Sequence, residues 1–287
     1  MVIDGRKMAG EVLARAKERA ESMGRAPKTV AIVTSETPAT MSYLRIKERR
    51  AADAGCVLEV VRLPENTSTA ELVATVLSAS ADSDAIIVQL PLAYGVDTKA
   101  VCDAIPVSKD ADVLSSVARA RFESGFSTSG VNASSKTPDV FPPLLPPVVG
   151  AVREILKKNN VEVDGKRAVV IGEGWLVGKP CATWLAQQGA EVQVLTIQNS
   201  AEEKAAALRA AHIIISGAGS PHLIKPDMLT RGVVLIDAGT SELGGEVVGD
   251  ADPACAEVCS LFTPVPGGIG PLAVACLFEN VVSLAEK

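Results

Sequence analysis

Aromatic residues are scarce in this chain: Phe, Trp and Tyr make up 3% of it, against 47% for hydrophobic residues of all kinds. A core poor in rings must be filled by branched aliphatics and alanine, the material with which helices cover parallel sheets. Histidine is rarer still, represented by His212 and His222, and the six cysteines (Cys56, Cys102, Cys181, Cys255, Cys259, Cys276) include no CxxC pair. No zinc pattern is completed, so no metal site is expected and the thiols are read as structural rather than as ligands. Cys255 and Cys259 fall one helical turn apart, which a core-facing stripe explains. Positive charge is also short: 28 Lys and Arg face 34 Asp and Glu, a formal charge of −6 with no basic tract to follow a nucleic-acid backbone. No apolar run reaches transmembrane length, and Met1 to Lys7 carries charges where a secretory signal would be apolar. A cytoplasmic protein without nucleic-acid or membrane partners is expected.

What is present alternates. At 287 residues the chain is long enough for two domains. Helical spacing from Met8 to Met23 stops at Gly24 and Pro27 before the strand-like Thr29 to Val33. A charged helix from Thr40 to Ala54, a strand from Cys56 to Leu63, a helix from Ser68 to Ala79 and the apolar Ala85 to Val88 follow. From about Ser115 to Asp139 the sequence is rich in Ser, Gly and Thr without a sustained period, and an irregular excursion is predicted. Pro142, Pro143, Pro146 and Pro147 precede a helix from about Val148 to Lys158 and mark a domain boundary. Beyond it, strands at Ala168 to Ile171, Val192 to Leu195, Ile213 to Ile215 and Val233 to Ile236 alternate with helices. The fold class is α/β in two domains. An N-terminal α/β substrate domain, 1–146, is completed by the C-terminal helix in 270–287, and a Rossmann-like unit occupies 147–269.

Gly172-Glu173-Gly174-Trp175-Leu176-Val177-Gly178 follows the strand ending at Ile171 and opens a helix. Its GxGxxxG spacing is one residue longer than the dinucleotide fingerprint. Gly172 and Gly174 let backbone approach a pyrophosphate, the helix N-terminus supplies free N–H groups, and Gly178 permits close packing. A glycine-lined turn without a ligand is the competing explanation. The next strand ends at Leu195-Thr196 with neither the acidic residue that marks NAD nor an Arg for a 2′-phosphate, so cofactor preference stays open.

In the first half, Tyr43 and Lys47 share a helix face four residues apart. Gln89 leaves an apolar strand where ligands bind in open α/β sheets, and Lys109-Asp110-Ala111-Asp112 adds two carboxylates. Taken alone, the charged helix reads as a solvated face and the acidic string as a turn. Near the end, Thr263-Pro264-Val265-Pro266-Gly267-Gly268-Ile269-Gly270-Pro271 combines fixed and permissive backbone in a way a plain connector does not need, and a ligand-holding loop is expected.

In order and spacing these segments resemble the bifunctional 5,10-methylenetetrahydrofolate dehydrogenase/5,10-methenyltetrahydrofolate cyclohydrolase family. Ile3-Asp4-Gly5-Arg6 is similar to its IDG start, Pro38 to Lys47 to its YxxxK helix, and Val88 to Leu92 to VQLPL. Lys109 to Asp112 is similar to KDVD, Val248-Gly249-Asp250 to VGD, and Thr263 to Pro271 to TPVPGGVGP. The resemblance implies oxidation of methylenetetrahydrofolate followed by hydrolysis to 10-formyltetrahydrofolate, by a homodimer that takes NADP by family default and NAD as the alternative. It implies Lys47 as the central catalytic residue, Gln89 as its partner, Asp112 as the pterin anchor and Tyr43 as a stacking group. Leu90, Pro91, Gly267, Gly268 and Pro271 fall on the substrate side by the same resemblance. Gly172, Glu173, Gly174, Val177, Gly178, Pro180, Thr196, Gly217, Gly239 and Thr240 fall on the cofactor side. Several positions depart: Val113 stands where the family has glycine, Pro143 to Pro146 replaces PCTP, Gly172-Glu173-Gly174 replaces a Gly-Arg-Ser turn, and Leu272-Ala273 replaces Met-Thr. A monofunctional cyclohydrolase or a silent folate-binding paralogue is the alternative these departures raise.

Overall fold

The structure, a computed structural model, describes residues 1–34, 38–125 and 144–286, without the side chains of residues 38, 39, 42 and 43. Its elements are α1 (Gly5–Ser22), β1 (Lys28–Val33), α2 (Pro38–Asp53), β2 (Val57–Arg62), α3 (Thr69–Ala81), β3 (Ala85–Val88), α4 (Thr98–Asp103) and α5 (Ser116–Glu123). After residues 126–143 come α6 (Pro147–Lys158), β4 (Arg167–Ile171), α7 (Gly178–Gln187), β5 (Glu191–Leu195), α8 (Ala201–Ala210), β6 (Ile213–Ser216) and β7 (Val234–Asp237). The chain closes with β8 (Ser241–Leu243), β9 (Glu246–Val248), β10 (Leu261–Phe262) and α9 (Ile269–Ala285). Two compact units form, one of Gly10–Pro147 with Val274–Lys287, the other of Met1–Ala9 with Val148–Ala273.

In the first unit β2, β1 and β3 make a parallel sheet in that order. All four residues of β3 are buried, as befits a strand covered on both faces, whereas β2, at the opposite edge of the sheet, has no buried residue. Ser68 starts α3 with a reciprocal capping box: its hydroxyl accepts from the Glu71 N–H and the Glu71 carboxylate accepts from the Ser68 N–H. The irregular excursion expected from Ser115 is corrected at its start, because α5 forms there. The Ser115 hydroxyl accepts from the Ala118 N–H, and Ala118 and Phe122, one turn apart, are both buried. Residues 126–139 of that stretch, with Pro142 and Pro143, lie outside the described residues.

The second unit is a five-stranded parallel sheet in the order β10-β7-β6-β4-β5. Strands β6 and β7 are buried throughout. Because β5 and β6 flank β4 on opposite sides, the carboxyl ends of β4 and β6 form a topological switch point, where open α/β sheets bind ligands. A two-residue turn at Gly244 and Gly245, with φ of 62° and 86°, joins β8 to β9 as a hairpin demands. The N-terminal nine residues group with this unit rather than with the substrate domain in which the sequence reading put them. The reason is backbone pairing: the Ile3 N–H donates to the Phe262 carbonyl at 2.9 Å, the Phe262 N–H donates to the Met1 carbonyl at 2.9 Å, and the Gly5 N–H donates to the Gly267 carbonyl at 3.0 Å.

The final turns of α9 belong to the first unit through side chains that meet there. The Asn280 amide donates to the Ala111 carbonyl at 2.8 Å and the Leu145 carbonyl at 2.9 Å, and Arg19 forms a bidentate pair with Glu286. Among the described residues no helix is long and apolar enough to cross a membrane. Replacing Asn280 by alanine leaves both carbonyls without that donor and is expected to cost about 1–3 kcal/mol, read as a lower urea midpoint at unchanged slope. A midpoint equal to wild type would show that water satisfies these carbonyls.

Candidate active site

In the first unit, α2 carries Lys47 and the end of β3 carries Gln89. The Gln89 N–H continues the strand ladder to the Ile32 carbonyl at 2.9 Å, which fixes where its side chain begins. From there the Gln89 Oε1 accepts a 2.9 Å hydrogen bond from the Lys47 ammonium, while the Gln89 Nε2 donates to the Leu90 carbonyl at 2.8 Å. Both ends of the amide are thus committed, so its carbonyl is presented to Lys47 and not its NH₂. Leu90 is partly exposed and Pro91 exposed, joined by a cis peptide bond. Tyr43 lies one turn before Lys47 on α2, and its side chain is outside the described residues.

Asp112 joins this pair through a tight turn. Lys109 donates to the carbonyls of Ser80 and Ser83 at the end of α3, where a cation complements the helix dipole. Buried Asp110 accepts from the Leu114 N–H at 2.9 Å and the Ser115 N–H at 2.7 Å, closing the turn behind Asp112. Val113 inside it has φ of 57°, left-handed space that a β-branched residue enters at a cost of about 1–3 kcal/mol. The family's glycine would sit there without that strain, while Val113 instead buries its side chain.

Burial holds the Lys47 ammonium below the usual lysine range, and the nearby Asp112 carboxylate opposes that in part. Burial also pushes the Asp112 carboxyl up, which Lys47 opposes and Asp110 reinforces. The pair is therefore biased toward its neutral forms. A neutral amine held by a neutral acceptor is a proton acceptor in waiting.

In the second unit the glycine turn lies at the switch point. The Gly172 N–H donates to the Leu195 carbonyl at 2.8 Å, and Gly172 has φ of 94°. A Cβ on Gly178 would sit 2.1 Å from the Gly172 carbonyl oxygen, and one on Gly217 would sit 2.5 Å from Val177. These positions are brought together by close packing that only glycine allows. A Cβ on Gly174, by contrast, would meet nothing nearer than 4.0 Å, so that backbone borders open space. No side chain caps the start of α7; the Lys179 N–H donates to the Gly174 carbonyl at 3.1 Å and the Cys181 N–H to the Val177 carbonyl at 3.0 Å, so backbone alone closes the turn into the helix, with the positive end of the helix dipole facing the glycine turn. Pro180, within the first turn of α7, has no N–H to offer. Glu173 is exposed. The Thr196 N–H donates to the Asn199 side chain at 2.8 Å and the Thr196 hydroxyl accepts from the Gln198 N–H at 3.2 Å, so that turn folds on itself. The residues present fit a dinucleotide at its pyrophosphate and carry no cation on the stretch from Leu195 to Ser200.

The Thr263 to Pro271 loop uses its glycines partly for its own chain. A Cβ on Gly268 would lie 2.5 Å from the Pro264 carbonyl oxygen, whereas Gly267, at φ of 104°, and Gly270 have room around them. Pro271 follows in the first turn of α9. Gly267, Gly268 and Pro271 belong to the second unit, while Lys47, Gln89 and Asp112 belong to the first.

Two buried carboxylates, Asp250 of the Val248-Gly249-Asp250 element and Asp237 at the end of β7, tie down the loops of this unit. Asp250 accepts from the Ser216 hydroxyl at 2.6 Å and from the Ala218 and Ser220 N–H groups at 2.7 Å. Asp237 accepts from the Gly239 N–H at 2.9 Å and the Ala251 N–H at 2.8 Å. Gly239 is needed for packing, since a Cβ there would lie 2.1 Å from the Asp250 carboxyl group, and Thr240 beyond it is exposed. The six cysteines are buried thiols, and burial pushes Cys56, Cys102, Cys181 and Cys255 up to about 12. Among the described residues no group of His, Cys, Asp and Glu could hold a metal ion.

Burial, reinforced by the Asp250 carboxylate, pushes the Asp237 carboxyl from 3.8 up to about 6. The folded state thus binds that proton more tightly than the unfolded chain. Stability from this group is complete below about pH 4 and is lost as pH rises through about 6. Relative to Asp237→Asn, the wild type is expected to lose about 2 kcal/mol of unfolding free energy between about pH 4 and pH 7. Urea titrations of both proteins across that range check this, and a difference independent of pH would contradict it.

Residues 3–112 match the model of the tetrahydrofolate dehydrogenase/cyclohydrolase catalytic domain, and residues 146–287 match its NAD(P)-binding domain. Bifunctional protein FolD of Moorella thermoacetica is 36% identical, with 100% of this chain and 99% of that one covered. The FolD of Halothermothrix orenii is 34% identical over 98% and 96% of the two chains. Among solved structures, the bifunctional FolD of Campylobacter jejuni superposes with a TM-score of 0.89 at 30% identity, over 100% of this chain and 98% of that one. The Trypanosoma brucei FolD, solved with NADP and an inhibitor, has the same TM-score and identity over 100% and 97%. With both domain models matched in order along its length, the chain belongs to the tetrahydrofolate dehydrogenase/cyclohydrolase family.

Proposed function

We propose that this chain oxidises 5,10-methylenetetrahydrofolate to 5,10-methenyltetrahydrofolate with NAD(P)+ and hydrolyses the product to 10-formyltetrahydrofolate, in one-carbon metabolism. The observation that carries the reading is the 2.9 Å hydrogen bond from a partly buried, weakly basic Lys47 to Gln89. When bound, the nicotinamide supplies the hydride acceptor. The protein residues manage protons and charge. A methenyl cation beside Lys47 disfavours the ammonium further, so the free amine takes the proton of the attacking water, and Gln89 orients that amine without adding charge. Asp112 serves as the anchor for paired N–H donors of the pterin ring, whose arrival favours its ionised form, with Tyr43, Leu90, Pro91, Gly267, Gly268 and Pro271 as the remaining substrate contacts.

On this reading the unit built on β1 to β3 with the end of α9 binds folate, and the unit built on β4 to β7 binds the dinucleotide. Gly172, Glu173, Gly174, Val177, Gly178, Pro180, Thr196, Gly217, Gly239 and Thr240 line the cofactor. NADP, the cofactor in the Trypanosoma brucei structure, is taken first, with NAD as alternative. The exposed Glu173 in the phosphate turn favours one second reading, a cyclohydrolase that no longer uses the dinucleotide. A cytoplasmic homodimer completes the proposal.

A paired assay tests it: methylenetetrahydrofolate with NADP or NAD, following reduced cofactor, and methenyltetrahydrofolate alone, following hydrolysis. Both halves are expected to turn over, and hydrolysis without reduction would select the second reading. Lys47→Met is expected to lower hydrolysis by about 10²–10⁴, and Lys47→Arg to fail similarly because guanidinium does not deprotonate. The wild-type rate rises with pH to a plateau as Lys47 loses its proton. Full hydrolysis by Lys47→Met would sink the mechanism.

A further inference from the structure

The cofactor crevice has two walls at the switch point between β4 and β6. One is the glycine turn from Gly172 to Gly178, and the other is the segment that follows β6. That segment touches the turn directly: a Cβ on Gly172 would fall 2.8 Å from the Gly217 carbonyl oxygen. In front, the Gly217 N–H is tied to the Ile171 carbonyl at 2.9 Å. Behind, Ser216, Ala218 and Ser220 all donate to one carboxylate, that of Asp250, at 2.6–2.7 Å. Three residues of a five-residue stretch are thus held by a single side chain from a distant part of the sequence. Gly219, in the midst of the held stretch, has φ of 65° and nothing within 4 Å of where its Cβ would be, so the held backbone borders open space.

We propose that Asp250 is a positioning residue for the dinucleotide, fixing the backbone of residues 216–220 as the wall opposite the glycine turn. Asp250 is fully buried, and both of its oxygens are engaged by that segment, so it acts through the wall and touches no ligand. Hydrogen bonds to a buried charge are strong, and three donors converging on one carboxylate fix orientation as well as distance. An asparagine of the same shape keeps the volume but turns an NH₂ toward an N–H or hydroxyl donor, so the wall must shift. The Ser216 hydroxyl is the gentler probe, since its loss leaves both backbone donors in place. The inference rests on the dinucleotide reading given above.

The test is isothermal titration of wild type, Asp250→Asn and Ser216→Ala with NADP and with NAD, alongside kinetics of both half reactions. Asp250→Asn is expected to weaken the preferred dinucleotide at least about tenfold and Ser216→Ala about threefold. The KM for the dinucleotide is expected to rise in the same order, with the KM for methylenetetrahydrofolate unmoved. Hydrolysis of methenyltetrahydrofolate, which needs no dinucleotide, reports on the folate site of each preparation. A wild-type Kd in Asp250→Asn would overturn the proposal. So would parallel loss of binding and hydrolysis in Asp250→Asn with an unchanged Kd in Ser216→Ala, which is the signature of a residue needed only for folding. Wild type that hydrolyses methenyltetrahydrofolate but binds neither dinucleotide would overturn the cofactor reading itself, and the inference with it.

Discussion

A carboxylate taken out of water must find donors, and in this chain three find them mainly in backbone amides of loops, for Asp237 and Asp250 in the loops that leave the carboxyl ends of β6, β7 and β9. Asp110, Asp237 and Asp250 are each buried and each accept from two or more N–H or O–H groups. Parallel sheets make this arrangement available, because every strand delivers its chain to the same edge and the loops leaving that edge carry unpaired amides. Each carboxylate then organises a loop that the sheet alone would leave loose. Asp110 shapes the turn bearing Asp112, and the Asp237 and Asp250 pair shapes the loops after β6 and β7. In each unit, loops that the sheet alone would leave free are thus tied from behind.

Lys47 follows the opposite logic. Its ammonium donates to a neutral acceptor, the Gln89 carbonyl, and feels the partly desolvated Asp112 carboxyl, and burial prevails over that charge, so the proton is loosely held. A fully paired lysine would be more stable and useless as a base. On the proposed reading, compensation is left incomplete at the group that moves protons, while Asp110, Asp237 and Asp250 each accept from two or three donors.

Much of this was legible in the sequence. Ala85 to Val88 reads as a buried strand because it is apolar throughout, and Gln89 is legible as the first polar group beyond it. The glycine turn was readable because the strand before it and the helix after it fix its meaning. Short elements escaped. α4 and α5 depend on the caps Asp97 and Ser115, residue types that also signal loops, and β10 is two residues whose strand character comes from pairing with β7. The clamp made by Asp250 was unreadable for a different reason, since Ser216 and Asp250 lie 34 positions apart and nothing local links them. The left-handed Val113 was equally hidden, because backbone preference predicts against it and burial overrides the preference.

Gly239 and Gly249 form a reciprocal lock with the two buried carboxylates. A Cβ on Gly239 would strike the Asp250 carboxyl group, and one on Gly249 would strike Asp237, each at 2.1 Å. Each glycine lies within two residues of the carboxylate it does not face. A side chain added at either glycine therefore presses on a group belonging to the other loop and cannot be relieved within its own segment. The two loops thus behave as one mechanical unit, in which room on one side is set by the residue chosen on the other.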